Sequence, residues 1–208
     1  MQNYQAKIPN VENGDLPMHT LFIGHNPSIA TWQTGHYFAN PTNQFWKLVG
    51  KSDLLNSATS FEIGEITSID DDLMISRGFG FTDFIEKPGN DANAITRSEI
   101  ESNRTIFAQR IEKYANDINS GLKRICFVGK KQWKQQFAPN LSKCGHGLQE
   151  PNMRPKHWPK ILCNLEIWVL ASPSGRAVIS ASERLESYQK LAQHLENANV
   201  DDNSRINQ

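Results

Sequence analysis

The stretch from Leu21 to Trp46, LFIGHNPSIATWQTGHYFANPTNQFW, decides how this chain is read. Leu21, Phe22 and Ile23 form an apolar run of strand type, and Gly24, His25, Asn26 and Pro27 can extend neither a strand nor a helix. Asn26 therefore falls where the carboxyl end of a strand opens into a turn. In open α/β sheets ligands bind at that rim, so a side-chain amide there is placed to meet a substrate. Twelve residues on, Phe38 follows Gly35, His36 and Tyr37 and brings flat rings close to the amide in sequence. A polar group beside a stacking platform suits a planar heterocycle. Taken alone, an Asn before Pro is equally an Asx-turn residue.

Outward from this segment the chain alternates strands and helices. NQFWKLVGKSDLL places Phe45, Trp46, Leu48 and Val49 at near-helical spacing, which predicts a short helix burying aromatics against a sheet. The Ser-, Thr- and acid-rich run from 56 to 72 reads as a connection, and a second strand is expected near Gly80 to Ile85. Thr96 and Glu99 make a capping box for a long amphipathic helix with apolar positions Ile100, Ile106, Phe107, Ile111 and Tyr114. RICFVG is a buried strand ending in a Gly turn. Pro139 to Lys160 lacks periodicity and reads as a long loop. LEIWVLA supplies a fourth strand, and Ser180 with Glu183 caps a last helix to about Glu196.

This pattern predicts one α/β domain over residues 19–197, with a mostly parallel sheet of four to five strands covered on both faces. Residues 1–18 read as a flexible, dispensable leader and 198–208 as a disordered tail. The loops after the strands gather at one edge, so Asn26, Asp83 and Ser172 converge there.

Bulk properties narrow the function. The 208 residues hold 22 Lys+Arg against 22 Asp+Glu, so no global field draws the protein to phosphate backbones. Local basic patches are available at Lys130, Lys131 and Lys134 and at Arg154, Lys156 and Lys160. There is no apolar run near the roughly 20 residues of a membrane span, and the N-terminus lacks a signal-peptide pattern. A soluble, intracellular monomer with no membrane partner is expected, nuclear in a eukaryote and at the nucleoid in a bacterium. Cys126, Cys144 and Cys163 form no C-x-x-C pair, which suits a reducing compartment. Cys126 reads as core. Cys144, His146, His157 and Cys163 match no standard zinc spacing, and no metal is expected.

The segment from Leu21 resembles the mismatch-specific uracil/thymine DNA glycosylases, a branch of the uracil-DNA glycosylase superfamily. The family's first motif, Gly-Ile-Asn-Pro-Gly, continues to Gly-x-x-Phe/Tyr and Asn-x-Phe-Trp; here these are GHNPS, GHYF and NQFW. Ser172, Pro173, Ser174, Gly175 and Arg176 are similar to the second motif, Asn-Pro-Ser-Gly or Ser-Ser-Ser-Ala followed by a wedge residue. GFGFTDFIEKP (Gly78 to Pro88) and RICFVGKKQW resemble two intervening segments, in the family's order. The sequence departs from the pattern at His25, an aliphatic position, at Ser28, usually Gly, and at Ser172, often Asn.

The resemblance implies the three-layer α/β/α sandwich of uracil-DNA glycosylases and a monofunctional glycosylase using no cofactor. In that reading Asn26 positions the attacking water, with Asp83 and His25 as auxiliary candidates. Phe38 stacks on the extruded base, with Gly24, Thr31 and Tyr37 grouped beside it as base-binding. Arg176 is the wedge that fills the gap left by the flipped nucleotide, and Ser172 to Gly175 with Lys130 contact the DNA backbone. The implied partner is double-stranded DNA with a mispaired or damaged base. Uracil is the expected target, with thymine, hypoxanthine, xanthine and etheno-adducts as further candidates. Neither motif carries a Lys for a Schiff base, so strand cleavage is not expected. Two alternatives remain open: a non-catalytic lesion-binding protein on the same fold, and a hydrolase of free nucleosides or nucleotides, which has no use for a wedge.

Overall fold

A computed structural model describes residues 4–55 and 65–206. Its centre is a five-stranded sheet built from β1 (Met18–Gly24), β2 (Phe79–Asp83), β3 (Ser120–Val128), β4 (Gly147–Leu148) and β5 (Glu166–Leu170). The spatial order is β2-β1-β3-β5-β4. β2, β1, β3 and β5 run parallel, and the two-residue β4 pairs antiparallel with β5. This is the mostly parallel α/β sheet expected. β4 lies inside the stretch read as a loop, because two residues leave no periodicity to detect.

Alternation along the strands divides the core in two. Phe22, Phe79, Phe81, Cys126, Trp168 and Leu170 pack in one cluster, with residues of α2 (Phe45–Lys51), α3 (Asp71–Ser76) and α6 (Ala181–Ile206). Leu21, Ile23, Ile125, Phe127, Ile167 and Val169 face the other way, against α4 (Arg97–Ala115) and α5 (Lys130–Lys134). Neighbouring strand residues thus serve opposite faces, and each large apolar side chain withdrawn from water contributes about 1.5–3 kcal/mol. Cys126 is fully buried, and burial pushes its thiol pKa up, so it is packing rather than chemistry.

The helix caps follow the sequence. The Thr96 hydroxyl accepts from Glu99 N, and the Glu99 carboxylate accepts from Thr96 N, opening α4. Ser180 Oγ accepts from Glu183 N at the start of α6. On α4, Phe107 and Ile111 are buried, whereas Ile106, expected on the apolar face, is exposed. At 100° per residue Ile106 and Phe107 point in different directions, and the sheet takes Phe107.

Two boundary expectations are corrected. Residues 4–18 are not a loose leader. Lys7 makes an antiparallel bridge with Phe81, Tyr4 is buried and stacks on Trp32 at 5.2 Å, and Lys7 Nζ pairs with the buried Asp71 at 2.6 Å. These contacts join residues 28 to 74 positions apart, which local patterning does not reveal. At the other end, α6 continues to Ile206 through the run expected to be disordered, because no Gly or Pro interrupts it. The connection read from 56 to 72 lies outside the described residues as far as 64. Beyond that it forms a 3-10 turn, Ser68–Asp70, leading into α3.

Candidate active site

Parallel pairing aligns the carboxyl ends of the strands, and a cleft of about 680 Å³ opens there. β1 contributes His25 and Asn26 just beyond its end, β2 contributes Asp83, and the segment after β5 contributes Ser172 to Arg176. The three residues expected to converge are all at the cleft, together with Phe38 and Lys130.

Asn26 is held on both sides of its amide. Nδ2 donates to Lys87 O at 3.1 Å and to Gly89 O at 3.0 Å. Carbonyl oxygens only accept, so the amide orientation is settled and its two protons are spent. Oδ1 lies 2.9 Å from His25 Nδ1. His25 Nε2 lies 3.0 Å from Gln135 Oε1. Backbone bonds from Phe84 N to Gly24 O, Ile85 N to His25 O and Gly89 N to Pro27 O tie this turn to the segment after β2. Asn26 thus fixes the turn and still borders the cleft.

Phe38 adopts a left-handed backbone, φ 55°, a conformation costly for a non-glycine and one that persists only where the surroundings enforce it. They do so here. The ring stacks on Phe45 with centroids 4.1 Å apart and meets Tyr37 and Phe81 edge-on. Phe38 is half-buried, so a ring backed by Phe45 borders the cleft. Tyr37, grouped with the base-binding residues, is instead 1% exposed. Its N–H goes to Asp71 Oδ2 and its hydroxyl to Gln5 O. It supports Phe38 from below. Thr31 is also buried: its Oγ1 accepts from Ser28 Oγ and from Ala39 N, joining the start of α1 (Ile29–Thr34) to the Phe38 turn. Ser28, the unusual residue of the first motif, is the N-cap of α1 and accepts from Thr31 N.

Gly24 does not line the cleft. A Cβ there would collide with the Asp83 carboxyl, so Gly24 makes room for that group. Asp83 is the last residue of β2, neither a helix cap nor a loop residue, and is 3% exposed. Burial pushes its carboxyl up from 3.8 to about 7, against a lowering by the Tyr4 hydroxyl, which donates to Oδ2 at 3.1 Å, and by Arg110. Arg110 also donates to the Asp83 backbone carbonyl.

The second motif forms a loop against the Thr42 turn. Gln44 N donates to Pro173 O at 2.8 Å, and a Cβ at Gly175 would stand 3.0 Å from Thr42 O, tighter than most side chains tolerate. Ser174 N and Arg176 N are held by Ser172 Oγ and Ser174 Oγ. The Arg176 side chain is 70% exposed and reaches Asp91 at 3.6 Å across the mouth of the cleft. Lys130 and Lys131 both border the cleft, and Lys131 Nζ bonds Ala92 O and Asn93 Oδ1.

Sequence reading missed several members of this site. Tyr4 gave no signal. Gln135 stands 110 residues from His25. The run NDAN, 90–93, borders the cleft and sets Asp91 beside Arg176, and its turn-forming composition was the only hint.

The comparisons agree with this geometry. The chain is 25% identical over 174 residues to a G/U mismatch-specific uracil DNA glycosylase of Schizosaccharomyces pombe, covering 83% of this chain and 49% of that protein. It spans about half the length of that relative. The family model for the uracil DNA glycosylase superfamily matches residues 12–196, from ahead of β1 into α6. On a match of that extent, over a parallel sheet with the motif segments gathered at one edge, the chain belongs to the uracil DNA glycosylase superfamily.

Proposed function

We propose that this protein is a monofunctional DNA glycosylase that flips uracil out of mispaired duplex DNA and hydrolyses its N-glycosidic bond, leaving an abasic site. The observation that carries the reading is the Asn26 amide. With both Nδ2 protons given to Lys87 O and Gly89 O, and one Oδ1 lone pair facing His25, what remains is a single acceptor at the cleft. Such a group accepts a hydrogen bond from a water molecule and orients it, but cannot donate to a base. Asn is no strong base, so the barrier falls chiefly through placement of the water and support for the departing base.

Phe38 supplies a stacking face for the extruded pyrimidine, worth about 1–3 kcal/mol per base. Arg176, exposed at the rim on a loop fixed to the Thr42 turn, is the wedge. A mispair costs less to open, which favours uracil opposite guanine. Thymine, hypoxanthine, xanthine and etheno-adducts are further candidate bases. The protein would act as a monomer on double-stranded DNA inside the cell, with Lys130 and the backbone of Ser172 to Gly175 beside the phosphates.

The test is incubation with duplexes carrying one G·U, G·T, A·U or G·hypoxanthine pair, then alkali to break abasic sites, beside Asn26→Ala. Cleavage at G·U that is lost in the variant is expected. Intact duplexes bound more tightly at G·U than at G·C would replace this reading with lesion binding alone. Excision from free nucleosides unaffected by Arg176→Ala would replace it with a nucleoside hydrolase.

A further inference from the structure

His25 occupies a position where an aliphatic side chain would fill the same space, yet both of its ring nitrogens are engaged. Nδ1 meets Asn26 Oδ1 at 2.9 Å and Nε2 meets the Gln135 amide at 3.0 Å. Because the Asn26 amino group must face two carbonyls, Oδ1 is the atom at His25, and Nδ1 must carry the hydrogen. Burial lowers the His25 pKa and Lys131 adds to this, against a raising by the contacts with Asn26 and Gln135; in the neutral ring that carries its hydrogen on Nδ1, Nε2 accepts. The structure sets Gln135 Oε1 at Nε2; the two ends of this amide are nearly isosteric, and with a single ring hydrogen on Nδ1 the amide turns its amino group to Nε2. Gln135 is itself anchored: its backbone carbonyl accepts from Arg104 Nε at 2.6 Å, and its N–H reaches Lys131 O. A string of hydrogen bonds thus runs from α4 through the end of α5 to the Asn26 amide.

We propose that His25 is a positioning residue, whose Nδ1–H, backed by Gln135, holds Asn26 Oδ1 in the orientation that receives the attacking water. The proposal rests on the glycosylase reading above and assigns the departure at position 25 a role. Lys87 O and Gly89 O alone fix the amino end of the amide; His25 fixes the oxygen and takes one of its two lone pairs. The remaining lone pair then has one direction. The ring also packs edge-on against Phe84, with centroids 6.4 Å apart. A role in packing alone is the rival, and Leu, which keeps the bulk and loses the donor, separates the two.

The experiment compares full-length wild type, His25→Leu and His25→Asn in single-turnover excision from a G·U duplex. Each is also measured for binding to the same duplex carrying 2′-fluoroarabinouridine, which resists cleavage. His25→Leu is expected to slow excision roughly ten- to hundredfold, the scale of a misplaced reacting group, with binding to the analogue duplex unchanged within about twofold. His25→Asn, whose amino group reaches the place of Nδ1, is expected to recover most of that loss. Excision by His25→Leu at the wild-type rate overturns the proposal, as does a His25→Asn variant no faster than the Leu variant.

A second readout uses the unliganded chain. Nitrogen-15 spectra are expected to show neutral His25 protonated on Nδ1, and the Asn26 side-chain amide protons are expected to shift and exchange faster in His25→Leu. A neutral ring protonated on Nε2 overturns the proposal whatever the kinetics. If wild type excises nothing, the glycosylase reading fails, while these spectra still decide whether His25 holds Asn26.

Discussion

The two sides of the cleft are built differently. On the β1 and β2 side, Asn26 has hydrogen-bond partners at both ends of its amide and Asp83 is buried against Gly24 and Tyr4. On the β5 side, the backbone of the Ser172 to Arg176 loop is fixed, but the Arg176 side chain reaches solvent and makes a single 3.6 Å ion pair with the exposed Asp91. An exposed pair of this kind contributes little, about 0–1 kcal/mol. One side is rigid before substrate arrives, and the other carries a free arm. Rigid placement serves the chemical step, in which reorganisation costs rate. In the proposed mechanism a free arm suits a residue that moves into a gap existing only after a base has left the stack.

This contrast breaks most readily at its centre. Asn26→Ala is expected to lower the single-turnover excision rate at saturating G·U duplex by roughly a hundred- to a thousandfold, the cost of losing one preorganised polar group, with duplex affinity nearly unchanged. A large loss of affinity instead would place Asn26 in binding rather than chemistry. Arg176→Ala should give the converse: excision from duplex G·U falls about tenfold, while excision from a single-stranded uracil substrate holds, because nothing there need be wedged open. Equal losses on both substrates would end the distinction between the two sides.

Asp83→Asn sharpens the comparison through stability. The carboxyl titrates near 7 in the folded chain against an ordinary 3.8, so between those values the folded state holds a proton the unfolded state has released. That proton favours folding at low pH, and stability is lost as pH rises from about 4 to 7, by up to a few kcal/mol at about 1.4 kcal/mol per pH unit. Thermal melts of wild type should therefore fall relative to Asp83→Asn across this range and run parallel above it; melts that stay parallel throughout would show that Asp83 is solvated. The smallest effect belongs to Ser28→Ala, which removes the cap of α1 at a cost of about 1 kcal/mol. A melting shift of about 2–4 °C is expected from it.

The strands and long helices were legible because their signals are local. Apolar runs marked β1, β3 and β5, and Thr96 with Glu99 marked the start of α4 to the residue. The edge carrying Asn26, Asp83 and Ser172 followed from strand polarity alone. What escaped depends on distant partners. Asp83 and His25 stand as auxiliary candidates in the sequence, but nothing local shows that Tyr4 and Gly24 enclose the one or that Gln135 stands behind the other. Tyr37 and Phe38, grouped together as base-binding, both border the cleft and touch Phe81, but Tyr37 is almost wholly buried whereas Phe38 is half-buried. α1 and α5, of six and five residues, are too short to show a period.

The bridge between Lys7 and Phe81 has a consequence for how the molecule avoids its own copies. β2 is an outer strand of the sheet, and an outer strand invites another chain to pair with it. Here Lys7 N donates to Phe81 O at 2.9 Å and Phe81 N donates to Lys7 O at 2.7 Å, so the outward-facing groups of Phe81 are already taken, and a lysine side chain stands beside them. The same short segment brings Tyr4 to Asp83. A chain trimmed to begin after Lys7 would bare a sticky strand edge and leave the Asp83 carboxyl without its hydroxyl donor, so clumping and a disturbed cleft should arrive together.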